Sequence, residues 1–172
     1  YKKKLMKQIL FEVPIWKKQI DPLKIELISS GFEPSFISGL KTSFDGKNSM
    51  SEKGEEYLKN CLQELLNEIN VKKINLISIW RNIYENNFQD KHNHAGCNFS
   101  FIIYEKINQP QTVFYHPSSD LIYASKTENI FPPQKQLDVI ENDLVVFPSY
   151  VDHMVCLTEN ALTMSGNFDI ET

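Results

Sequence analysis

The chain has 172 residues, close to the length of one average domain, and contains 41% hydrophobic, 12% aromatic and 23% charged residues. This composition supplies enough apolar mass for a hydrophobic core and excludes global disorder. The net charge of −4 gives no broad cationic surface, which argues against nucleic acid as a partner. No run approaches the roughly 18 apolar residues that a membrane span needs, so no membrane association is expected.

Three cysteines, at positions 61, 97 and 156, are odd in number and widely spaced. They include no C-x-x-C pair, which favours a reducing compartment over a disulfide scaffold. The sequence therefore predicts a soluble cytoplasmic protein. Nothing in the sequence selects an oligomeric state.

The N-terminal part begins with weak signals. An edge element is predicted from Leu5 to Trp16, where Pro14 excludes a central strand. Asp21, followed by a proline, predicts the start of a short helix that ends near Gly31. Residues 33–50 have no periodicity and are predicted to form a loop.

A stronger helix signal follows. From Leu58 to Ile69, apolar residues recur at intervals of three and four, which is typical of one face of an amphipathic helix. The pattern starts from Ser51, and we expect a helix over this region.

After residue 71 the chain switches to β-branched and aromatic runs separated by turn residues. The predicted strands are Ile74–Ile83, Asn98–Tyr104, Thr112–Tyr115, Leu121–Ala124, Leu144–Phe147, Tyr150–Leu157 and Leu162–Phe168. Many short strands at this spacing indicate a β-sandwich or barrel. We expect a single domain, in which residues 1–70 form a helical buttress and residues 71–172 form the β-sandwich core.

All four histidines lie in the strand-rich part. His92 and His94 are two residues apart in a polar turn, so both imidazoles can face one point, where a metal is the natural occupant. His153 comes after the strand Leu144–Phe147. At this place in a barrel, its imidazole can reach the same point from the opposite side of the mouth and act as a third ligand. Solvated loop histidines are the competing interpretation. His116, which precedes a proline, is more typical of a structural residue.

Two acidic residues, Asp90 and Asp152, flank these histidines. Each carboxylate is compatible with a solvated turn, with a group that orients an imidazole, or with a metal ligand. The sequence therefore leaves open whether His94 or Asp90 is the third ligand.

Several short segments occur in a fixed order along the chain. They are Leu10–Trp16, Trp80–Asn82, Lys91–His94 followed by Ser100 and Tyr104, Phe147–Ser149 with His153, and Ser165–Phe168. In this order they resemble the 2-oxoglutarate/Fe(II)-dependent oxygenases found in marine bacteria and tailed phages. The resemblance spans nearly the whole chain. Cupins offer a related pattern, but Tyr150 stands where they usually carry glycine.

This resemblance implies a mainly β fold with buttressing helices, the cupin-like jelly-roll called a double-stranded β-helix. It implies Fe(II), 2-oxoglutarate and O2 as cofactor and cosubstrates, and hydroxylation of a small molecule or a peptidyl side chain. By position, His92 and His153 are the implied iron ligands, and His94 stands where the wider superfamily places Asp or Glu. A phage-encoded member would act in the host cytoplasm.

One position departs from the family pattern. Members commonly carry an arginine on the last strand, and that place falls near Ala161 in this chain. Neither Arg nor Lys occurs from residue 136 to 172. Because burying an unpaired carboxylate costs several kcal/mol, another donor must hold the far carboxylate of 2-oxoglutarate. The replacements that we consider are Tyr104, Lys106, Arg81, Thr163 and Ser165.

Other polar residues at matching positions are predicted to contact the cosubstrate or a metal-bound water. They are Asn82, Asn98, Ser100 and Asn167; structural hydrogen bonds explain them nearly as well. Two other functions stay open: a cupin-like three-histidine metalloenzyme that does not use 2-oxoglutarate, and a non-catalytic β-sandwich binding module.

Overall fold

The structure of the protein, a computed structural model, describes residues 12–35, 40–109 and 112–172. Its strands are β1 (Trp16–Gln19), β2 (Ile28–Ser30), β3 (Glu33–Pro34), β4 (Lys41–Thr42), β5 (Lys47–Ser49), β6 (Lys73–His92), β7 (Phe99–Lys106), β8 (Thr112–Tyr115), β9 (Gln134–Gln136), β10 (Asp143–Pro148) and β11 (His153–Glu171). The helices are α1 (Glu52–Leu65) and α2 (Ser119–Ala124), with 3-10 turns at Pro22–Ile25 and Asn67–Ile69. The prediction of a mainly β fold is confirmed.

Nine strands form one antiparallel sheet in the order β1-β10-β7-β11-β6-β4-β3, with β8 paired to β11 and to β9. Strands β2 and β5 form a separate ribbon. The long strands β6 and β11 run side by side, and on its other edge β11 pairs first with β8 and later with β7. Register shifts between His153 and Ala161 interrupt the ladder where this exchange occurs.

Because β11 changes its partner from β8 to β7, the sheet folds into two layers. Phe114 on β8 and Phe147 on β10 belong to strands that are not paired, yet their ring centroids are 4.9 Å apart. These rings join a buried cluster with Ile102, Val145 and Val151. The inner face of β7 and β10 therefore packs against β8.

The outer face of the central strands packs against α1. Ile103, Val146 and Met164 lie in one buried cluster with Leu58 and Leu62 of the helix. Because side chains alternate along a strand, the residues between them face the interior of the sheet. The helix buttresses the sheet, as predicted.

The interior facing away from α1 is polar near its centre. Its buried polar residues are Asn82 on β6, Ser100 on β7, and Thr163, Ser165 and Asn167 on β11. Buried polar groups need hydrogen-bond partners, so this surface is suited to a polar ligand or to a hydrogen-bond network.

The predicted helix after Ser51 is confirmed. The Ser51 hydroxyl accepts the N–H of Gly54 at 3.0 Å, which caps the first turn. The α-helix ends at Leu65, and Asn67–Ile69 forms a 3-10 turn. The apolar face extends beyond the α-helix because this turn stays against the same core.

The prediction of a helix ending near Gly31 is wrong. Asp21 does cap a helical turn, but this turn is 3-10 and ends at Ile25, with Glu26 as its C-cap at a φ of 54°. Ile25 and Leu27 are buried, but Leu23 is 84% exposed and Ile28 is 70% exposed, so the apolar residues of this segment do not form one buried helical face.

Other boundaries also differ from the predictions. The segment Leu121–Ala124, predicted as a strand, is helical. The prediction failed because four apolar residues are too few for periodicity to separate a helix from a strand. The predicted loop at residues 33–50 contains three short strands, with residues 36–39 outside the described part. The last two predicted strands are one strand, β11. Of the predicted N-terminal element, residues 5–11 lie outside the described residues, and the edge strand begins at Trp16.

No helix in the described ranges is both long enough and apolar enough to cross a membrane.

The single arginine of the chain ties three segments together. Nε and Nη2 of Arg81 donate to the two carboxylate oxygens of Glu105 on β7, each at 2.8 Å, and Nη1 donates to the carbonyl of Leu27 at 2.7 Å. The Glu105 side chain is only 11% exposed, so solvent screens this pair weakly.

We expect Arg81→Lys to lower the free energy of unfolding by about 1–3 kcal/mol, because an ammonium cannot reproduce the planar two-bond contact. Denaturant unfolding measures this change. The control is Lys41→Ala, which removes the exposed ion pair with Glu85, and we expect it to cost less than about 1 kcal/mol. Equal losses in the two variants would contradict the prediction.

Candidate metal centre

Three histidines meet where β6 ends and β11 begins. His92 lies opposite His153 in the antiparallel register. His94 follows in the turn, where its N–H donates to the carbonyl of Ser149 at 2.9 Å. The ring centroid of His92 is 4.3 Å from that of His153 and 5.1 Å from that of His94. One ligand atom from each imidazole lies within 4.8 Å of the other two, a spacing that one metal ion can span.

Backbone carbonyls set the tautomer of two imidazoles. Nδ1 of His92 lies 2.7 Å from the carbonyl oxygen of Asp90, and Nδ1 of His153 lies 3.2 Å from that of Val151. A carbonyl only accepts hydrogen bonds, so each Nδ1 carries the hydrogen. Nε2 of each ring therefore keeps a lone pair that can coordinate a metal.

Burial also keeps the imidazoles neutral. It lowers the pKa of His92, lowers the pKa of His94 to about 4, and lowers the pKa of His153 well below its usual range. The charge of a neighbouring imidazolium opposes protonation of His94 and His153 further. Three neutral nitrogen donors fit a divalent transition metal such as iron.

The flanking carboxylates have other partners. Asp152 accepts a hydrogen bond from Nδ2 of Asn93 at 2.8 Å and pairs with Nζ of Lys91 at 3.3 Å. Asp90 contributes its backbone carbonyl to His92. Across the described ranges, the group that can hold an ion consists of the three imidazoles without a carboxylate.

The histidines line a narrow cavity between the two layers of the sheet. Its polar lining comes from Asn82, Tyr84, Gln89, Thr112, Thr163 and Ser165. Ser100 and the rings of Trp80, Phe101 and Phe147 also line it. The described residues that line this cavity include no lysine and no arginine.

Asn82 and Ser165, both predicted to contact the cosubstrate, lie together in this cavity. Nδ2 of Asn82 lies 3.4 Å from Oγ of Ser165 and 3.5 Å from Oγ1 of Thr163. Tyr104 is fully buried beside the cavity, and its hydroxyl donates to Oγ1 of Thr112 at 2.8 Å.

The structure places the other predicted contacts outside the cavity lining. Asn167 accepts a hydrogen bond from Ser100 at 2.8 Å within the interior. Asn98 is exposed, and its side chain accepts the N–H of Ile170. Lys106 is exposed at the end of β7.

Sequence reasoning missed three polar residues of the cavity lining. Tyr84 continues the alternation of Trp80 and Asn82, so extending the predicted strand by one residue would have indicated it. Thr112 looks like an ordinary strand residue. Gln89 had no signal, because the strand is irregular around Asn86, whose φ is 91°.

Comparisons with known proteins identify the fold. No protein-family model and no curated protein matches the chain. A prolyl-4-hydroxylase from Pseudomonas putida matches 93% of this chain and 94% of its own, with a TM-score of 0.59 and 12% identity. An oxidoreductase of the 2OG-Fe(II) oxygenase family from Burkholderia pseudomallei matches 90% of this chain and 66% of its own, with a TM-score of 0.50 and 12% identity.

A third similar structure is AviO1 from Streptomyces viridochromogenes, with a TM-score of 0.53, 12% identity and coverage of 83% of this chain and 70% of that one. At such identities the likeness concerns the fold. The chain therefore has the jelly-roll fold of the 2-oxoglutarate/Fe(II) oxygenases, as predicted.

Asp152 directly precedes His153, and its side chain binds Lys91 and Asn93, the chain neighbours of His92 and His94. It is therefore a candidate positioning residue. We expect Asp152→Ala to weaken metal binding about 10- to 100-fold, which is typical for groups that orient metal ligands. Asp152→Asn keeps an acceptor for Asn93 but loses the charge facing Lys91, so its effect should be smaller. Calorimetric titration with Fe(II) or Co(II) measures both.

The matched control for these variants is Asp138→Asn, at an exposed carboxylate outside the cavity lining. It should bind the metal like the unmodified protein. Unchanged affinity in Asp152→Ala would show that the three ligands are positioned without this carboxylate.

Proposed function

We propose that the protein is a non-haem Fe(II), 2-oxoglutarate-dependent oxygenase. The observation that carries this proposal is the meeting of three neutral imidazoles, two with a free Nε2, at a cavity inside an oxygenase-type jelly-roll. His92, His94 and His153 would hold the iron. When bound, Fe(II) with 2-oxoglutarate and O2 supplies the oxidising chemistry that hydroxylates a substrate C–H bond.

The residues around the histidines shield and support them. The ring centroids of Phe114 and Phe147 lie 5.8 and 4.9 Å from that of His153. The ring centroid of Trp80 lies 5.6 Å from that of His94. These aromatic rings restrict the orientation of the imidazoles and shield part of the cluster from water. The protein needs no nucleophile of its own in this chemistry.

The substrate would approach from the outer side of the cluster. His92 and His94 are partly exposed, whereas His153 is 3% exposed. The opening thus lies at the first two histidines, and a narrow cavity is suited to a small molecule or one side chain of a peptide. We propose these as the substrate class.

The ordered segments from Leu10 to Phe168 support placing the chain with the oxygenases of marine bacteria and tailed phages. Three free cysteines support a reducing setting such as the cytoplasm of a cell or phage host.

A second function is favoured by one observation. The described cavity lining offers only neutral groups to an anionic cosubstrate, which suits a cupin-like three-histidine metalloenzyme that does not use 2-oxoglutarate. Titration of 2-oxoglutarate into the iron-loaded protein under nitrogen separates the two. A visible absorption band on addition supports the oxygenase, whereas iron binding without such a band supports the alternative.

Removing one histidine tests the site directly. We expect Fe(II) to raise the melting temperature of the protein, because the ion binds only the folded state. His153→Ala should abolish both this shift and the visible band. His116→Ala is the matched control, since His116 is exposed and its Nδ1 accepts the N–H of Ser118.

The control should keep the shift and the band. Retention of both in a folded His153→Ala protein would remove His153 from the proposed ligand set. The melting curve of each metal-free variant shows whether it is folded.

A further inference from the structure

We infer that the inner part of the cavity binds the far end of a 2-oxo acid through neutral donors, and therefore accepts an uncharged polar group there nearly as well as a carboxylate. The inference rests on the proposed function, which places the 2-oxo acid group at the histidines. It names a wider class of cosubstrate, namely five-carbon 2-oxo acids with either a carboxylate or an amide at the far end.

The strand register places these donors beside the metal cluster. Trp80, whose ring lies 5.6 Å from that of His94, is opposite Ser165 in the register. Asn82 lies two residues further along β6, about 7 Å away, and is opposite Thr163. Asn82, Thr163 and Ser165 line the same cavity as the three histidines, so they are among the polar side chains that would face the far end of a 2-oxo acid held there.

These donors are buried but loosely bonded. Asn82 and Thr163 are each 3% exposed, and Ser165 is 8% exposed. The two bonds from Nδ2 of Asn82, at 3.4 and 3.5 Å, are longer than the usual distance of about 2.9–3.0 Å. Thr163 also makes a side-chain hydrogen bond with Tyr84. The long contacts of Asn82 with neutral neighbours that line the cavity can be exchanged for hydrogen bonds to a polar ligand.

The charged residues near this trio are directed elsewhere. Arg81 is adjacent to Asn82 in the strand but faces the opposite side, where it binds Glu105 and the carbonyl of Leu27. Burial raises the pKa of Tyr84, so its phenol is another neutral group in the lining. Across the described lining there is no lysine and no arginine, so apart from the histidines its donors are amides, hydroxyls, a phenol and an indole.

Neutral donors discriminate weakly between a carboxylate and an amide. A carboxylate makes the stronger hydrogen bonds but loses more hydration on burial, and here no ion pair offsets that loss. An amide loses less hydration and makes ordinary hydrogen bonds. The two effects oppose each other, so the far charge contributes little to affinity.

The test compares two ligands of equal length on the iron-loaded protein under nitrogen. Calorimetry and the visible band give dissociation constants for 2-oxoglutarate and for 2-oxoglutaramate, its far-end amide. We expect the two constants to differ by less than about tenfold, which corresponds to about 1.4 kcal/mol. Binding of 2-oxoglutarate more than about tenfold more tightly than the amide would overturn the inference.

Two substitutions at one position sharpen the comparison. Thr163→Val removes a hydroxyl at nearly constant volume and should weaken both ligands to a similar extent. Thr163→Arg introduces a cation into the cavity and should shift the preference at least about tenfold toward 2-oxoglutarate. A Thr163→Val protein that binds both ligands with unchanged affinity would remove Thr163 from the site, even if the arginine variant fails to fold.

Lys106→Ala examines the exposed lysine at the end of β7. Unchanged affinity for 2-oxoglutarate supports the neutral site, whereas a selective loss for 2-oxoglutarate would show that Lys106 reaches the ligand and would overturn the inference.

Failure of the inference differs from failure of the proposed function. If iron binds and only 2-oxoglutarate binds tightly, the oxygenase proposal stands and the inference is wrong. If iron binds and neither 2-oxo acid binds, both are wrong.

Discussion

The antiparallel pairing of β6 with β11 is the interaction on which the rest of the structure depends. It places His92 opposite His153, although they are 61 positions apart in the chain. The same ladder places Asn82 opposite Thr163 and Trp80 opposite Ser165. One set of backbone hydrogen bonds thus aligns the histidine cluster with the polar interior. A register shift of one residue would turn each of these side chains to the opposite face.

The polar interior contributes less to folding stability than an apolar one would, and the apolar outer face offsets this loss. Side chains facing α1 form a continuous apolar cluster, in which Leu58, Leu62 and Met164 are fully buried. The face turned inward has hydroxyl and amide groups where apolar residues would pack more stably. This division lets the same strands supply both a stable core and a cavity that can bind a polar ligand.

Burial has a second consequence at the histidines. The low-dielectric surround that excludes water also disfavours imidazolium, so each ring presents a lone pair instead of a positive charge. Backbone carbonyls then fix which nitrogen presents it in His92 and His153. The site therefore consists of neutral imidazole donors, two of them oriented by backbone carbonyls. Its charge would come from the metal and from the ligands that the metal binds.

By itself, the sequence determined the features that short-range patterns encode: the helix that follows Ser51, most strands, the mainly β class, and the histidines as candidates, because spacing and residue type are local properties. Only the tertiary structure decided which polar residues share the cavity. Asn82 and Lys106 looked equally suitable in the sequence, yet one is buried in the interior and the other is exposed. Likewise the partner of Arg81, 24 residues away, and the place of Gln89 beyond a strand irregularity follow from long-range pairing and bulges. Such contacts depend on which strands become neighbours and in which register, and no local window of residues contains that information.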